Sequence, residues 1–207
     1  MKPKFVVFEG LDGSGTSTQA SLLEGAWIRS GRKVMLTCEP SPGPVGNLIR
    51  LAFKGRVNFQ SDRELFDEQM AYLFAADRFD HLHNDVDGVI PMMGKGVSIV
   101  STRYYFSSFA YHCTKECHWD LVRRLNLDFP APDLTVYLRN SVDESMRRLG
   151  SRAVLDSYEE EHKLTQVYEN YERIFREYEG AKLIIDATLN PSEIHSRVIR
   201  ELELHHE

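Results

Sequence analysis

The chain has 207 residues, 42% hydrophobic and 27% charged, with 25 Lys plus Arg against 31 Asp plus Glu and a net charge of −6. That length makes one ordinary domain burying roughly 70% of its unfolded surface, and the acidic balance argues against an extended nucleic-acid footprint while leaving a small anionic ligand open. No apolar run nears the roughly 20 residues of a membrane span, Met1 to Phe8 lacks a signal-peptide pattern, and Cys38, Cys113 and Cys117 cannot all pair, so a cytoplasmic protein without a disulfide framework is expected.

Short β-rich runs alternate with longer stretches of helical period, the pattern of an α/β fold with a mainly parallel sheet covered by helices. The first strand, Phe5 to Glu9, feeds a glycine-rich octet, Gly10-Leu11-Asp12-Gly13-Ser14-Gly15-Thr16-Ser17, and a helix beginning near Ser17. A second strand covers Val34 to Cys38. Ser61 with Glu64 reads as a capping box, opening a helix on which Leu65, Phe66, Met70, Leu73 and Phe74 recur on one face. Strands at Val97 to Ser101 and, after a Pro130-Ala131-Pro132 turn, at Leu134 to Leu138 come next. Ser141 with Glu144 and Ser157 with Glu160 are further capping boxes. The last strand is Leu183 to Asp186, and Asn190-Pro191 with Glu193 opens a final helix. The sequence contains no internal repeat and no low-complexity linker, so residues 1–207 read as one domain.

Strand, glycine-rich loop and helix N-terminus together make an anion cradle, because backbone N–H groups and the helix dipole both favour negative charge. The spacing is that of a P-loop, G-x-x-x-x-G-K-[ST], with Thr16 where the lysine belongs. Gly10, Gly13, Ser14, Gly15, Thr16, Ser17 and Thr18 are therefore the candidate phosphate-donor site. The alternative is a tight turn that merely needs glycines. Losing the lysine removes a charge-assisted contact worth roughly 1.5 to 3 kcal/mol, and on the order of 10² in rate if it acts in the transition state. Ser17 keeps the hydroxyl that would face Mg²⁺. Cys113, Cys117 and His118 lack a fourth ligand and paired spacing for a metal.

Five stretches in order carry a resemblance: Phe8 to Gly15; Glu39-Pro40 with Gly46 and Ile49-Arg50; Leu73 to Arg78; Arg103 to Tyr111; and Pro132 to Leu138. Through them the chain resembles the thymidylate kinase family over nearly its full length. The resemblance implies a P-loop nucleoside monophosphate kinase fold: a five-stranded parallel sheet, helices on both faces, a short lid and a homodimer. It also implies ATP-dependent phosphorylation of dTMP to dTDP with Mg²⁺, and neither nucleic acid nor membrane as partner.

Residue by residue, the resemblance implies that Glu39 lies on the loop closing over the acceptor, and that Phe74 stacks on the base. Arg78 would hydrogen-bond a base carbonyl, Arg103 and Arg50 would bind the acceptor phosphate, and Ser108 and Tyr111 would contact base and sugar. Asp12 would stand near that phosphate and its Mg²⁺. Without the family, Phe74 is equally a core residue and Arg78 and Arg50 surface charges. The lid is expected at about residues 147–161, where Arg148 or Arg152 would reach the phosphates; the alternative there is a basic helix face.

Three positions depart from the family pattern: Thr16 for lysine, and Thr102 and Arg139 for aspartates. All three fall at the phosphate edge of the sheet. Either Arg139 supplies the charge that Thr16 lost and the protein is a kinase with rearranged electrostatics, or a nucleotide-binding shell remains without transfer. Asp12, Arg103, Arg139, Arg148 and Arg152 are the expected catalytic set, with Ser17 and Asp12 toward the metal. His112, where glutamine is common in the family, leaves room for another nucleoside monophosphate as acceptor. Of the 25 basic residues 17 are arginine, and every cation placed in the site is one of them.

Overall fold

The computed structural model describes residues 2–150 and 161–204. In chain order the elements are β1 (Phe5–Gly10), α1 (Thr16–Arg29), β2 (Val34–Cys38), α2 (Pro44–Phe53), α3 (Arg63–His83), α4 (Val89–Gly94), β3 (Ser98–Thr102), α5 (Tyr105–His112), α6 (Glu116–Asn126), β4 (Leu134–Arg139), α7 (Val142–Leu149), α8 (Glu161–Glu177), β5 (Lys182–Asp186) and α9 (Pro191–Leu204). The strands form one parallel sheet in the order β2-β3-β1-β4-β5, as the P-loop kinase fold requires.

Central strands β1 and β4 are apolar almost throughout because helices cover both faces. Their side chains alternate between two cores. Val6, Phe8, Val136 and Leu138 pack with Leu23 and Trp27 of α1 and with Val198 of α9. Phe5, Val7 and Tyr137 pack on the opposite side with Phe106 of α5 and with Tyr171 and Phe175 of α8. Since α1 leaves β1 toward one face and α5 leaves β3 toward the other, the loops after these neighbouring strands diverge. A crevice opens at their carboxyl ends, where open α/β sheets bind ligands.

Several local expectations shift. The third strand begins at Ser98, because Val97 N–H bonds back to Met92 O and closes the turn after α4. The last strand starts one residue early, at Lys182, and α1 starts at Thr16. The cap of α3 is Asp62, not Ser61: its Oδ1 accepts from Leu65 N at 2.9 Å, and Glu64 pairs with Lys115 instead of reaching back. Ser141 does cap α7, accepting from Glu144 N at 3.2 Å, while the Glu144 carboxylate turns to Arg147 and Arg148. Ser157, Glu160, Arg152 and most of the expected lid lie outside the described residues.

The expected apolar face of α3 is also corrected. Leu65 is exposed, Leu73 and Phe74 are half-buried, and the buried line carries Asp67, Met70, Ala71, Asp77, Arg78 and His81. These polar groups have partners on other elements. Asp77 accepts from Ser41 N at 2.7 Å and from Ser41 Oγ at 2.6 Å, which seats the loop after β2 against α3. Gly46 makes this fit possible, because a Cβ there would stand 2.0 Å from Ser41 O and 2.8 Å from Asp77 Oδ1. Lys163 of α8 pairs with Asp67 at 2.8 Å, both fully enclosed.

Candidate active site

Two cavities flank the loop after β1. The first, of about 270 Å³, is lined by Asp12, Glu39, Arg50, Phe74, Arg103, Ser108 and Tyr111, together with Pro40, Phe53, Lys54, Ser107 and His112. Seven of the residues expected on the acceptor side thus meet in one place, brought there by the loops after β1, β2 and β3 and by α2, α3 and α5. One wall is aromatic: the Phe74 ring centroid lies 5.2 Å from that of His112 and 6.3 Å from that of Phe53. Burial pushes the His112 imidazole down to about 3, so this wall is neutral at physiological pH.

The opposite wall is charged. Arg103 Nη2 donates to Asp12 Oδ1 and, at 3.1 Å, to Tyr111 Oη, while Tyr111 Oη donates to Asp12 Oδ2 at 3.0 Å. The Arg103 guanidinium also lies 4.9 Å from the Tyr111 ring centroid. Arg103 is the one described non-glycine residue in the left-handed region, with φ 69°. Bonds on both sides hold it there: Arg103 N–H donates to Phe8 O at 2.9 Å, and Ser101 Oγ donates to Arg103 O at 2.9 Å. A strained backbone over-determined in this way aims its side chain into the cavity.

Arg78 departs from its expected place. It does not line the cavity but lies fully buried. Its Nε and Nη2 donate to Glu39 Oε2 at 2.9 and 2.6 Å, Nη2 also to Ser108 Oγ at 3.2 Å, and Nη1 to Asn126 Oδ1. With its fork occupied in this way, Arg78 holds Glu39 and Ser108, both of which do line the cavity. His81 completes this support, its Nδ1 3.3 Å from Glu39 Oε1 and its Nε2 2.7 Å from Thr37 Oγ1. Arg50 is in the cavity wall, where its guanidinium donates to the carbonyls of Pro40 and Ser41.

The second cavity, of about 430 Å³, is formed by Gly13, Ser14, Gly15, Thr18, Gln19 and Arg148 with the loop from Ala187 to Pro191 and Ile194. Gly10, Thr16 and Ser17 of the same loop do not line it, and Gly10 has a backbone role at the end of β1. A Cβ there would stand 2.7 Å from Leu138 O, so only glycine lets the loop leave β1 against β4. No side chain caps α1, and its first turn carries no acid, which leaves the helix end suited to an anion. Thr16 is half-buried, while Ser17 and Thr18 are exposed.

Arg148, from the last turn of α7, reaches over this loop. Its Nη1 donates to Gly13 O and its Nη2 to Ala187 O, both at 3.1 Å, and Nε donates to Glu144 at 2.6 Å. Arg139, expected beside the P-loop, points elsewhere. Period-two alternation sends it to the same side as Tyr137, where Nε and Nη2 both donate to Glu172 of α8 at 2.9 Å. Among the described residues, the arginine that lines the second cavity is Arg148.

Glu9 and Ser107 went unassigned from sequence although both stand inside the matching motifs; Phe53 and Lys54 carried no signal beyond their position at the end of α2. Among the described residues no group of His, Cys, Asp or Glu could hold a metal by itself, and all three cysteines are free.

The family pattern described as Thymidylate kinase matches residues 8–198. The chain belongs to the thymidylate kinase family. Relatives carry the name "Probable thymidylate kinase": one from Methanococcus aeolicus is 34% identical over 204 residues, covering 96% of this chain and 95% of its own. One from Thermococcus kodakarensis is 35% identical over 203 residues, covering 96% and 97%, and one from Pyrobaculum aerophilum is 36% identical over 192 residues, covering 92% and 91%. As a thymidylate kinase the protein is a phosphotransferase of the dTMP kinase type, and its parallel sheet is that of the P-loop nucleoside monophosphate kinases. No described helix is long and apolar enough to cross a membrane.

Proposed function

We propose that this thymidylate kinase holds dTMP in the cavity between Phe74 and Arg103, holds ATP along Gly10 to Thr18 with its base toward Ala187 to Pro191, and transfers the γ-phosphoryl group between them. The supporting observation is the convergence of Asp12, Arg50, Arg103 and Tyr111 opposite an aromatic wall, beside a P-loop on the same sheet edge. The neutral wall at Phe74 suits a pyrimidine face, and the Arg103 fork suits the acceptor phosphate.

No protein nucleophile is required. An acceptor phosphate oxygen attacks directly, so the residues contribute positioning and charge neutralisation. Arg103 holds the attacking phosphate in line, and Tyr111 crowds the sugar beside it. Arg148 supplies from α7 the positive charge that Thr16 lacks, acting as an arginine finger in cis; Arg152 of the expected lid is a second cation for the same phosphates. Mg²⁺ fits the donor set, because this ion keeps most of its shell on phosphate and water and takes few protein oxygens: the exposed Ser17 hydroxyl and the Asp12 carboxylate would hold it. It would neutralise charge on the donor phosphates.

Residues 1–207 act as one kinase domain in this reading, in the cytoplasm, and pair as a homodimer. The dimer is supported by Leu65, Tyr72 and Phe79, spaced seven apart on α3 and 51%, 50% and 61% exposed. Such a stripe can meet its own copy across a two-fold axis. Sedimentation should give twice the chain mass, and Tyr72→Glu should return the monomer.

The test of function is an ADP-release assay with ATP, Mg²⁺ and a panel of deoxy- and ribonucleoside monophosphates. Turnover should be fastest with dTMP. A protein that binds dTMP calorimetrically yet turns over no acceptor would overturn the kinase reading, and faster turnover of another monophosphate would replace dTMP.

A further inference from the structure

Glu9, the residue before the P-loop, is completely buried and has no role in the reaction as described so far. Three donors converge on it. Tyr104 N–H donates to its Oε1 at 2.7 Å, while Ser107 Oγ and Tyr171 Oη donate to its Oε2 at 2.7 and 2.8 Å. The two hydroxyls that point their protons at Glu9 turn their lone pairs to Arg103, whose Nη1 donates to Ser107 Oγ at 3.1 Å and to Tyr171 Oη at 3.3 Å. The Tyr104 amide belongs to the residue that follows Arg103, so the same carboxylate also pins the left-handed turn that aims the arginine.

We propose that Glu9 is a positioning residue for phosphoryl transfer, which orients the Arg103 guanidinium toward the acceptor phosphate through the hydroxyls of Ser107 and Tyr171. The inference rests on the placement of dTMP given above. A direct Glu9–Arg103 pair would occupy the fork; a hydroxyl relay polarises one nitrogen from behind and leaves Nη2 facing the cavity, where Asp12 holds it until the acceptor phosphate arrives. The relay has a fixed sense. With Glu9 accepting both protons, each hydroxyl presents its lone pairs to Arg103.

The relay should also respond to pH. Glu9 is faced by Arg103 from the end of β3, by Tyr104 and Tyr105 at the start of α5 and by Tyr171 on α8 with Tyr137 of β4 stacked against it, while Asp12 and Tyr111 face Arg103. Burial pushes the tyrosine hydroxyls upward, so they stay protonated and can donate. Burial raises Glu9 to about 7 against the pull of Arg103. A protonated Glu9 must donate one bond and so displaces one of its three donors, which loosens the hold on Arg103, and kcat/KM for dTMP should rise through pH 7.

The experiment is steady-state kinetics from pH 6 to 9, with dTMP calorimetry, on the wild type, Glu9→Gln and the double variant Ser107→Ala/Tyr171→Phe. Glutamine keeps the shape but offers N–H to a hydroxyl, inverting the relay. KM for dTMP should rise about tenfold or more, the scale of a lost charge-assisted hydrogen bond, with kcat within about threefold, and the limb near pH 7 should disappear. Wild-type KM and an unchanged pH profile in Glu9→Gln would overturn the proposal. Should Glu9→Gln not fold, the double variant decides: a raised dTMP KM supports the relay and an unchanged one overturns it. A wild type that fails to bind dTMP overturns the placement of the acceptor itself, an outcome separate from a wild type that binds normally beside an unaffected variant.

Discussion

The two sides of the phosphate edge are built to different standards. On the acceptor side the two arginines most enclosed are held by several neighbours each: Arg78 by Glu39, Asn126 and Ser108, and Arg103 by Asp12, Ser107, Tyr111 and Tyr171. The donor side is an open loop with exposed Ser17 and Thr18, and the cation beside it reaches in from a helix end and bonds two main-chain carbonyls. A preorganised pocket keeps its geometry when a charge at its neighbour changes. A cradle made of a loop and a helix end can take its positive charge from an arginine on a neighbouring helix, as Arg148 of α7 shows by reaching Gly13 O.

The strongest attempt to break this contrast is on the rigid side. Arg103→Ala should lower kcat/KM for dTMP on the order of 10³, since it removes the phosphate fork and leaves Asp12 without its cation, held by Tyr111 alone. KM for ATP should barely move in the same assay. On the open side, Arg148→Ala should cost about 10² in kcat with a raised KM for ATP and an unchanged dTMP affinity by calorimetry. Equal losses in the two variants on both substrates would mean that the cavities do not work separately.

A smaller effect tests the buried character of the acceptor side through stability. Glu9 titrates near 7 in the folded chain against 4.5 unfolded. Below pH 4.5 both states hold the proton and nothing changes. Between 4.5 and 7 the unfolded chain has released it and the folded chain has not, so unfolding is favoured as pH rises, by roughly 3 kcal/mol across the window, levelling off above 7. Urea unfolding of Glu9→Gln should lack this slope.

Much of this was legible in the sequence wherever the signal was local. The P-loop, Glu39, Phe74, Arg103, Ser108 and Tyr111 each sit in a short motif, and all five strands follow from runs of apolar residues within one position of their observed bounds. What could not be read was pairing over distance. Arg78 and Glu39 are 39 positions apart, and Tyr104 and Glu9 are 95 apart. An arginine expected on a helix face and a glutamate at a strand end therefore carried no sign that burial would join each to a partner. The same blindness produced the polar seam of α3, whose buried acids and histidine face partners on other elements and break the apolar period.

The smallest expected effect bears on the residue that sequence reasoning weighted most. An arginine at the end of β4, where the family has an aspartate, invites the idea that it replaces the lost lysine, and Arg139→Ala would then abolish activity. Its side chain is 48% exposed and both bonding nitrogens are held by Glu172. An exposed pair of this kind contributes about 0 to 1 kcal/mol to stability, and its loss leaves Glu172 with its bond from Tyr137 Oη and touches no residue that lines either cavity. Arg139→Ala should therefore turn over dTMP within about threefold of the wild type. If it does, the charge that serves the P-loop comes from α7 or the segment after it, and Thr16→Lys, which would place a second cation beside Arg148, becomes a test of whether the cradle has room for both. A large loss in Arg139→Ala would instead mean that the arginine leaves Glu172 when nucleotide binds, and that the open side rearranges more than its resting geometry implies.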